Sequence, residues 1–216
     1  MKRDFPRAYP GLRIGLLGGT FDPAHEGHAH IAQVALARLG LDRVWWLVTP
    51  QNPLKPRAAP LAARLASARR FAGPRMDVTD LESRLGLAYT IDTVRTLQAR
   101  FPAVRFVLIL GGDTLASLHR WRRWSDLVRA LPIAIVSRPT ARGGPDPGAL
   151  GAKPLLRFAS ARVPAHGARA FAARPPPAWI YLAARFSSAS STVLRRRRGG
   201  AGAAVLPKGR NRAMEG

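Results

Sequence analysis

The sequence predicts one α/β domain built on a doubly wound parallel sheet, because short apolar segments alternate with segments of helical periodicity. The apolar segments, which are candidate strands, lie at 12–17, 44–48, 76–78, 104–110, 133–136 and 178–182. Apolar residues recur at helical spacing between them, near 29–39, 61–71 and 90–100. This alternation favours a parallel sheet with helices on both faces. Such sheets bind ligands at the carboxyl ends of their strands, near a switch in strand order.

The first elements have clear boundaries in the sequence. The strand 12–17 stops at Gly18 and Gly19, and the helix that follows stops at Gly40, since glycine adopts the backbone conformations that end helices. The strand 44–48 is apolar throughout, as expected for a strand covered on both faces, and a loop interrupted by prolines follows it.

The later elements are less regular. The strand 104–110 ends at Gly111, and two helices, the second opened by Ser125 and Asp126, lead to the strand 133–136. Residues 139–177 are rich in Pro, Gly and Ala and indicate no definite element. We expect a polar leader at 1–11, the domain at 12–198, and a basic tail at 199–216 that is disordered because its charge is unbalanced and its hydrophobicity low.

Composition excludes several classes of protein. The chain has no cysteine, which removes disulfides and thiolate sites. No apolar run is long enough to span a membrane and no secretory signal is visible, so a cytoplasmic protein is expected. Lys and Arg number 35 against 12 acidic residues, and the resulting net charge of +23 favours polyanionic partners such as a phosphorylated substrate, nucleic acid or an anionic membrane surface. A GC-rich coding bias explains the excess of Arg and Ala equally well.

The segment from Gly18 to His28, GGTFDPAHEGH, carries the chemistry. Its two glycines let the backbone approach a phosphate group, and the helix that follows directs its free amides and positive dipole end at the same place. His25 and His28 share one face of the helix start, and each imidazole can donate a hydrogen bond to a phosphate oxygen. Such donors suit nucleotidyl transfer, which depends on alignment and electrostatics.

Other interpretations of these histidines remain open at this stage. The pair could be exposed or core histidines without a ligand, or part of a zinc site completed by His30. For His30 and His119 we expect no role in a site.

The same segment resembles the GGTFDPxHxGH signature of the nucleotidylyltransferase superfamily, whose HxGH element contacts ATP phosphates. A second segment, Ser190 to Arg195, resembles the superfamily signature ISSTxIR, with Ala189 in place of the usual Ile. Hydroxyls at a helix start with an Arg one turn on would form a second phosphate site. The resemblance implies a Rossmann-like nucleotidyltransferase fold. It also implies an ATP site that consists of Gly18, Gly19, Thr20, Phe21, His25, His28, Gly111, Asp113, Ser191, Thr192 and Arg195.

Within the superfamily the chain is most similar to the bacterial nicotinate-nucleotide adenylyltransferases, over roughly residues 12–195. In that family a Tyr-Thr pair and a Trp line the nicotinate pocket. The substrate contacts implied here are Asn52, Lys55, Tyr89, Thr90 and Trp121. The family usually has Gly-Ala-Asp where this chain has Gly111-Gly112-Asp113, a departure that leaves the role of Asp113 intact.

Each of these residues also has a purely structural interpretation. Trp121 and Trp124 could pack one helical face against the core. Thr90 and Asp113 could each cap a helix, and Lys55 could be a solvated loop charge.

The resemblance implies that the AMP part of ATP is transferred to nicotinate mononucleotide, which gives deamido-NAD and pyrophosphate. We expect in-line attack without a covalent intermediate, with His25, His28, Lys55 and Arg195 contacting the reacting phosphates. Mg²⁺ would bind the ATP phosphates and need few protein ligands, so no protein metal site is predicted. Asp113 would orient the ribose or the hydrated metal.

Three alternatives are retained. A phosphopantetheine adenylyltransferase would normally have Thr in place of His25 and a shorter chain. An enzyme specific for nicotinamide mononucleotide would differ in the charge presented to the pyridine ring. The alternative from another class is a nucleic-acid-binding protein that uses Arg195 to Arg198 and the tail, although these arginines are not interleaved with aromatic residues. The sequence does not predict an oligomeric state.

Overall fold

The computed structural model of the chain describes residues 5–50, 58–115, 117–137 and 153–184. The strands of this part are β1 Arg13–Gly19, β2 Arg43–Val48, β3 Met76–Thr79, β4 Arg105–Gly111, β5 Ile133–Ser137, β6 Arg162–Val163 and β7 Trp179–Ala183. Its α-helices are α1 Glu26–Arg38, α2 Leu61–Arg69, α3 Leu81–Arg84, α4 Thr90–Arg100, α5 Gly112–Leu115, α6 Trp124–Ala130 and α7 Lys153–Arg157. Short 3-10 helices cover Leu118–Arg120, Ala159–Ala161 and Ala165–Ala173.

The strands form one sheet in the order β3-β2-β1-β4-β5-β7-β6. Every neighbouring pair is parallel, which confirms the predicted doubly wound parallel sheet. The chain builds outward from β1 to β3 and then returns to place β4 on the other side of β1. The switch in strand order therefore lies between β1 and β4, whose carboxyl ends carry Gly18-Gly19 and Gly111.

Apolar residues fill both faces of the sheet. One core packs α1, α2 and the 3-10 helix Ala165–Ala173 against one face, and a second core packs α3, α4 and α6 against the other. Consecutive residues of a strand alternate between them, so Leu17 belongs to the first core and Leu16 to the second. The sheet is thus held rigidly on both sides, and its carboxyl edge is left to bind ligands.

Several boundaries differ from the sequence prediction. Helix α1 begins at Glu26 rather than near residue 29, because His25 caps it with its own side chain. Tyr89 rather than Thr90 is the capping residue of α4, and α6 begins at Trp124. The unassigned region contains α7, β6 and two 3-10 helices in its described part, residues 153–177.

The described part of the predicted leader contacts the domain. The ring of Phe5 packs edge-on against Phe101 at a centroid distance of 5.3 Å, and the Gly11 amide donates to the Ala103 carbonyl at 2.8 Å. Across the described residues no helix is both long and apolar enough to cross a membrane.

Candidate active site

Two histidines cap helix α1 at the carboxyl end of β1. His25, in extended backbone conformation, precedes the helix, and its Nδ1 accepts a 3.0 Å hydrogen bond from the Gly27 amide. The amide of His25 in turn donates a 3.3 Å hydrogen bond to Nδ1 of His28. This is the reciprocal arrangement of a capping box, built here from two imidazoles.

The capping geometry determines which ring nitrogen of each histidine donates. A neutral imidazole that accepts a hydrogen bond at Nδ1 carries its proton on Nε2. Both rings therefore present an Nε2–H donor, and their centroids are only 4.0 Å apart. Two donors at the positive end of a 13-residue helix form an arrangement that suits a phosphate group.

The ring of Phe21 packs against the ring of His28. The backbone of Phe21 lies in the left-handed region, with φ 50°, which is unfavourable for a residue with a side chain. Packing holds it there, since the ring is 2% exposed, stacks on Trp46 at 5.1 Å and lies 4.9 Å from the ring of His28. The loop between β1 and α1 is therefore fixed by its own aromatic side chain.

The three glycines at the switch point differ in the space around them. Gly18 is exposed although it belongs to a central strand, and no described atom lies within 4 Å of the position a Cβ would take there. At Gly19 a Cβ would lie 3.1 Å from the Phe21 ring, and at Gly111 it would lie 3.5 Å from Ile31 of α1. The end of β4 thus contacts α1 through Ile31.

Asp113 lies at the same edge of the sheet, in the first turn of α5. It is exposed, and its Oδ1 accepts a 2.9 Å hydrogen bond from the Thr114 amide. A Cβ on the preceding Gly112 would overlap the Ser137 hydroxyl and lie 2.7 Å from Ser137 Cβ. Ser137 therefore occupies the space that an alanine at position 112 would need, which explains the departure from Gly-Ala-Asp.

The residues predicted to contact nicotinate lie on the face of the sheet that the second core covers. Tyr89 caps α4 and is 36% exposed, and Thr90 is the first residue of that helix. The guanidinium of Arg122 lies 4.6 Å from the centre of the Tyr89 ring. Trp121, next to Arg122, packs on the core that α4 also contacts. Tyr89, Thr90 and the Trp121 segment are thus neighbours.

A buried carboxyl, Glu82, lies behind the start of α4. Glu82 accepts a 2.8 Å hydrogen bond from the Thr93 hydroxyl, which also lies 3.4 Å from the Tyr89 carbonyl oxygen. Burial raises the pKa of Glu82 to about 7, and the hydrogen bond from Thr93 opposes that shift. Glu82 is thereby connected to the segment that begins α4.

Arg64 was not singled out by the sequence. It lies in α2 and is 2% exposed, with hydrogen bonds to four backbone carbonyls. The available signal was helical spacing, because Leu61, Arg64, Leu65 and Ala68 form one stripe. An arginine inside an apolar stripe is the mark of a buried, hydrogen-bonded charge.

Part of the predicted site lies outside the described residues, namely Asn52, Lys55, Ser191, Thr192, Arg195 and the arginine run up to Arg198. Within the described ranges no three His, Asp or Glu side chains are grouped to hold a metal ion. The zinc alternative with His25, His28 and His30 therefore has no support.

Comparison with known proteins gives the family. Residues 16–197 match the cytidylyltransferase-like family. The chain is 52% identical to the probable nicotinate-nucleotide adenylyltransferase of Caulobacter sp. strain K31 over 176 residues, which cover 79% of this chain and 90% of that protein. It is 45% identical to the protein of the same name from Roseobacter denitrificans over 184 residues, which cover 84% and 90%.

The chain belongs to the bacterial nicotinate-nucleotide adenylyltransferase family. It is therefore a nucleotidyltransferase of NAD biosynthesis that uses ATP, and the family resemblance predicted from its signatures is confirmed. Its fold resembles that of Plasmodium falciparum nicotinic acid mononucleotide adenylyltransferase, solved in complex with NaAD. The TM-score is 0.63 at 17% identity, with 86% of this chain and 83% of that one covered.

Proposed function

We propose that this enzyme transfers the AMP part of ATP to nicotinate mononucleotide, with His25 and His28 as the donors that hold the ATP phosphates. The observation that carries the proposal is the capping geometry, in which both Nδ1 atoms accept backbone N–H groups. This leaves Nε2–H as the donor of each ring. Two relatives that are 52% identical to this chain, over 79% and 78% of its length, are named for the same substrate.

The reaction needs no covalent enzyme intermediate. A 5′-phosphate oxygen of the mononucleotide attacks the α-phosphorus of ATP in line, and the bond from that phosphorus to the β-phosphate oxygen breaks, which releases pyrophosphate. His28 would donate to the α-phosphate oxygen on which charge develops, and His25 to a neighbouring phosphate oxygen. Lys55 and Arg195 would add cationic contacts, and Ser191 and Thr192 hydroxyl donors.

Mg²⁺ would enter this site with ATP. A cation of this kind would stay on the phosphates, retain water ligands and need few ligands from the protein. When bound, it would neutralise phosphate charge. Gly18, Gly111 and Asp113 would then lie along the nucleotide, with Asp113 directed at the ribose or the hydrated metal. A cytoplasmic location, where ATP is available, is part of the proposal.

The positive charge near Tyr89 and Thr90 favours nicotinate over nicotinamide. The positive dipole end of α4 begins at Thr90, and the guanidinium of Arg122 lies against the Tyr89 ring. A carboxylate on the pyridine ring would be stabilised there more than an uncharged carboxamide. Tyr89 and Trp121 would contact the ring, and Asn52 the mononucleotide.

The test is a pyrophosphate-release assay with ATP, Mg²⁺ and either mononucleotide, with the dinucleotide product identified by mass. We expect deamido-NAD from nicotinate mononucleotide, with kcat/KM about tenfold or more above that for nicotinamide mononucleotide. CTP in place of ATP serves as the nucleotide control and should react poorly. The proposal is refuted if nicotinate mononucleotide and ATP release no pyrophosphate.

A further inference from the structure

Arg64 is a buried cation whose hydrogen bonds all go to backbone carbonyls in the described part of the chain. Its Nε donates to the Ala59 carbonyl at 2.8 Å, and Nη2 donates to the Pro50 carbonyl at 2.8 Å. Nη1 donates to the carbonyls of Thr20 at 3.0 Å and Thr49 at 2.7 Å. Only the planar five-donor geometry of a guanidinium can reach four carbonyls in different directions.

These carbonyls belong to the two loops that flank the phosphate site. Thr20 begins the loop that leads from β1 through Phe21 to His25. Thr49 and Pro50 follow β2 and begin the loop that carries Asn52 and Lys55. The ends of β1 and β2 are also joined directly, because the Thr49 amide donates to the Gly19 carbonyl at 3.1 Å.

Burial of the Arg64 charge costs free energy of desolvation. Burial lowers the pKa of Arg64, and nearby Asp22 opposes that shift. Asp22 belongs to the loop after β1, and its Oδ2 accepts a 3.3 Å hydrogen bond from the Ala59 amide. A leucine at this position of the α2 stripe would fill the core without desolvating a charge, so packing alone does not account for an arginine.

We propose that Arg64 is a positioning residue for nucleotidyl transfer, which sets the loop after β1 against the loop after β2 and thereby places the His25 and His28 donors on the phosphates. Arg64 acts through these backbone segments and does not touch the substrate. The proposal rests on the proposed function. It predicts that loosening the four carbonyls affects the transfer step more than it affects binding of the pyridine mononucleotide.

Two substitutions test it. Arg64→Lys keeps a cation but loses the fork of donors, and Arg64→Ala removes both. We expect Arg64→Lys to lower kcat about 10- to 100-fold, with a smaller rise in the KM for nicotinate mononucleotide, because small displacements of aligned groups reduce the rate of transfer strongly. Methylguanidinium at millimolar concentration should restore part of the kcat of Arg64→Ala, whereas methylammonium should not.

Leu65→Ala is the matched control. Leu65 is the next residue of α2, is buried in the same core and makes no hydrogen bond through its side chain. Its truncation should lower Tm as much as Arg64→Lys does, yet leave kcat near that of the wild type wherever circular dichroism shows the protein folded.

The outcomes separate the two proposals. A wild-type protein that makes no deamido-NAD overturns the proposed function. An active wild type with an Arg64→Lys variant of normal kcat overturns the role of Arg64, as does a Leu65→Ala variant that loses kcat equally at the same folded fraction. Arg64→Lys decides the matter alone if Arg64→Ala does not fold.

Discussion

The hydroxyl of Thr93 donates a 2.8 Å hydrogen bond to the buried carboxyl of Glu82 and lies 3.4 Å from the Tyr89 carbonyl oxygen. Thr93 thus joins a carboxyl in the core to Tyr89, the residue that precedes α4 and is proposed to contact the pyridine ring. Because burial raises the pKa of Glu82 to about 7, this connection includes a group that titrates near neutral pH.

The raised pKa of Glu82 predicts a pH dependence of stability. The native protein binds this proton more tightly than the unfolded chain, whose value is near 4.5. The contribution of this proton to the free energy of unfolding is therefore complete below pH 4.5 and is lost as the pH rises through about 7. The total loss is up to about 3 kcal/mol. Glu82→Gln should flatten this decline in the free energy of unfolding, measured in urea at several pH values.

Asp80→Asn is the control for that series. Asp80 lies two residues away and forms a partly exposed ion pair with Arg84 at 2.7 Å. Its substitution should leave the pH slope between 4.5 and 7 unchanged. Equal slopes in the wild type and Glu82→Gln would contradict the buried-carboxyl assignment.

Gly18→Ala is predicted to weaken ATP binding without lowering the stability of the protein. No described atom lies within 4 Å of the added methyl group, and Gly18 has no positive φ, so the substitution should leave Tm unchanged or slightly higher. The methyl group enters the open space at the end of β1, and KM for ATP should rise about tenfold, equivalent to about 1.4 kcal/mol. Initial rates at varied ATP, with a thermal melt, measure both effects.

Gly19→Ala provides the contrast, because its methyl group would lie 3.1 Å from the Phe21 ring. The Tm of that variant should fall below that of the wild type. A Gly18→Ala enzyme with the wild-type KM for ATP would show that nucleotide does not bind over this glycine.

Two substitutions of His28 distinguish its capping role from its proposed catalytic role. His28→Ala removes the acceptor for the His25 amide and should cost about 1 kcal/mol of stability. His28→Glu supplies the acceptor that a capping box normally uses and should retain that stability. Neither variant presents a donor to phosphate, so both should lose about 100- to 1000-fold in kcat.

The readouts are kcat at saturating ATP and the urea midpoint. His119→Ala replaces an exposed residue of the 3-10 helix Leu118–Arg120 and should behave as the wild type in both. A near-normal kcat in His28→Glu would show that His28 does not donate to the ATP phosphates.

The sheet could be predicted from the sequence because each of its longer strands is an apolar segment with a definite end. The two-residue strand β6 could not, since two residues show no periodicity. The positions of Gly18, Gly111 and Tyr89 at strand and helix ends were predictable, because glycine turns and family signatures mark such ends.

The contacts behind the site were not predictable in the same way. His25 ends the loop as a helix cap, but capping rules favour Ser, Thr, Asp or Asn, so the start of α1 was placed three residues late. Helical spacing places Arg64 on the apolar face of α2, but the four backbone carbonyls that it binds come from other segments and leave no pattern in the sequence. Both depend on which groups the folded chain places beside them.

Gly112 and Ser137 should show strong coupling. Gly112→Ala alone would place a methyl group on the Ser137 hydroxyl and 2.7 Å from its Cβ, which should cost about 1 to 3 kcal/mol. Ser137→Gly removes both atoms, and the Ser137 Cα would lie 3.7 Å from the new methyl group, an ordinary contact. The double variant should therefore be more stable than the sum of the single effects predicts, by about 1 kcal/mol or more in a double-mutant cycle. Additive effects would mean that position 112 is glycine for another reason, such as the approach of nucleotide to the start of α5.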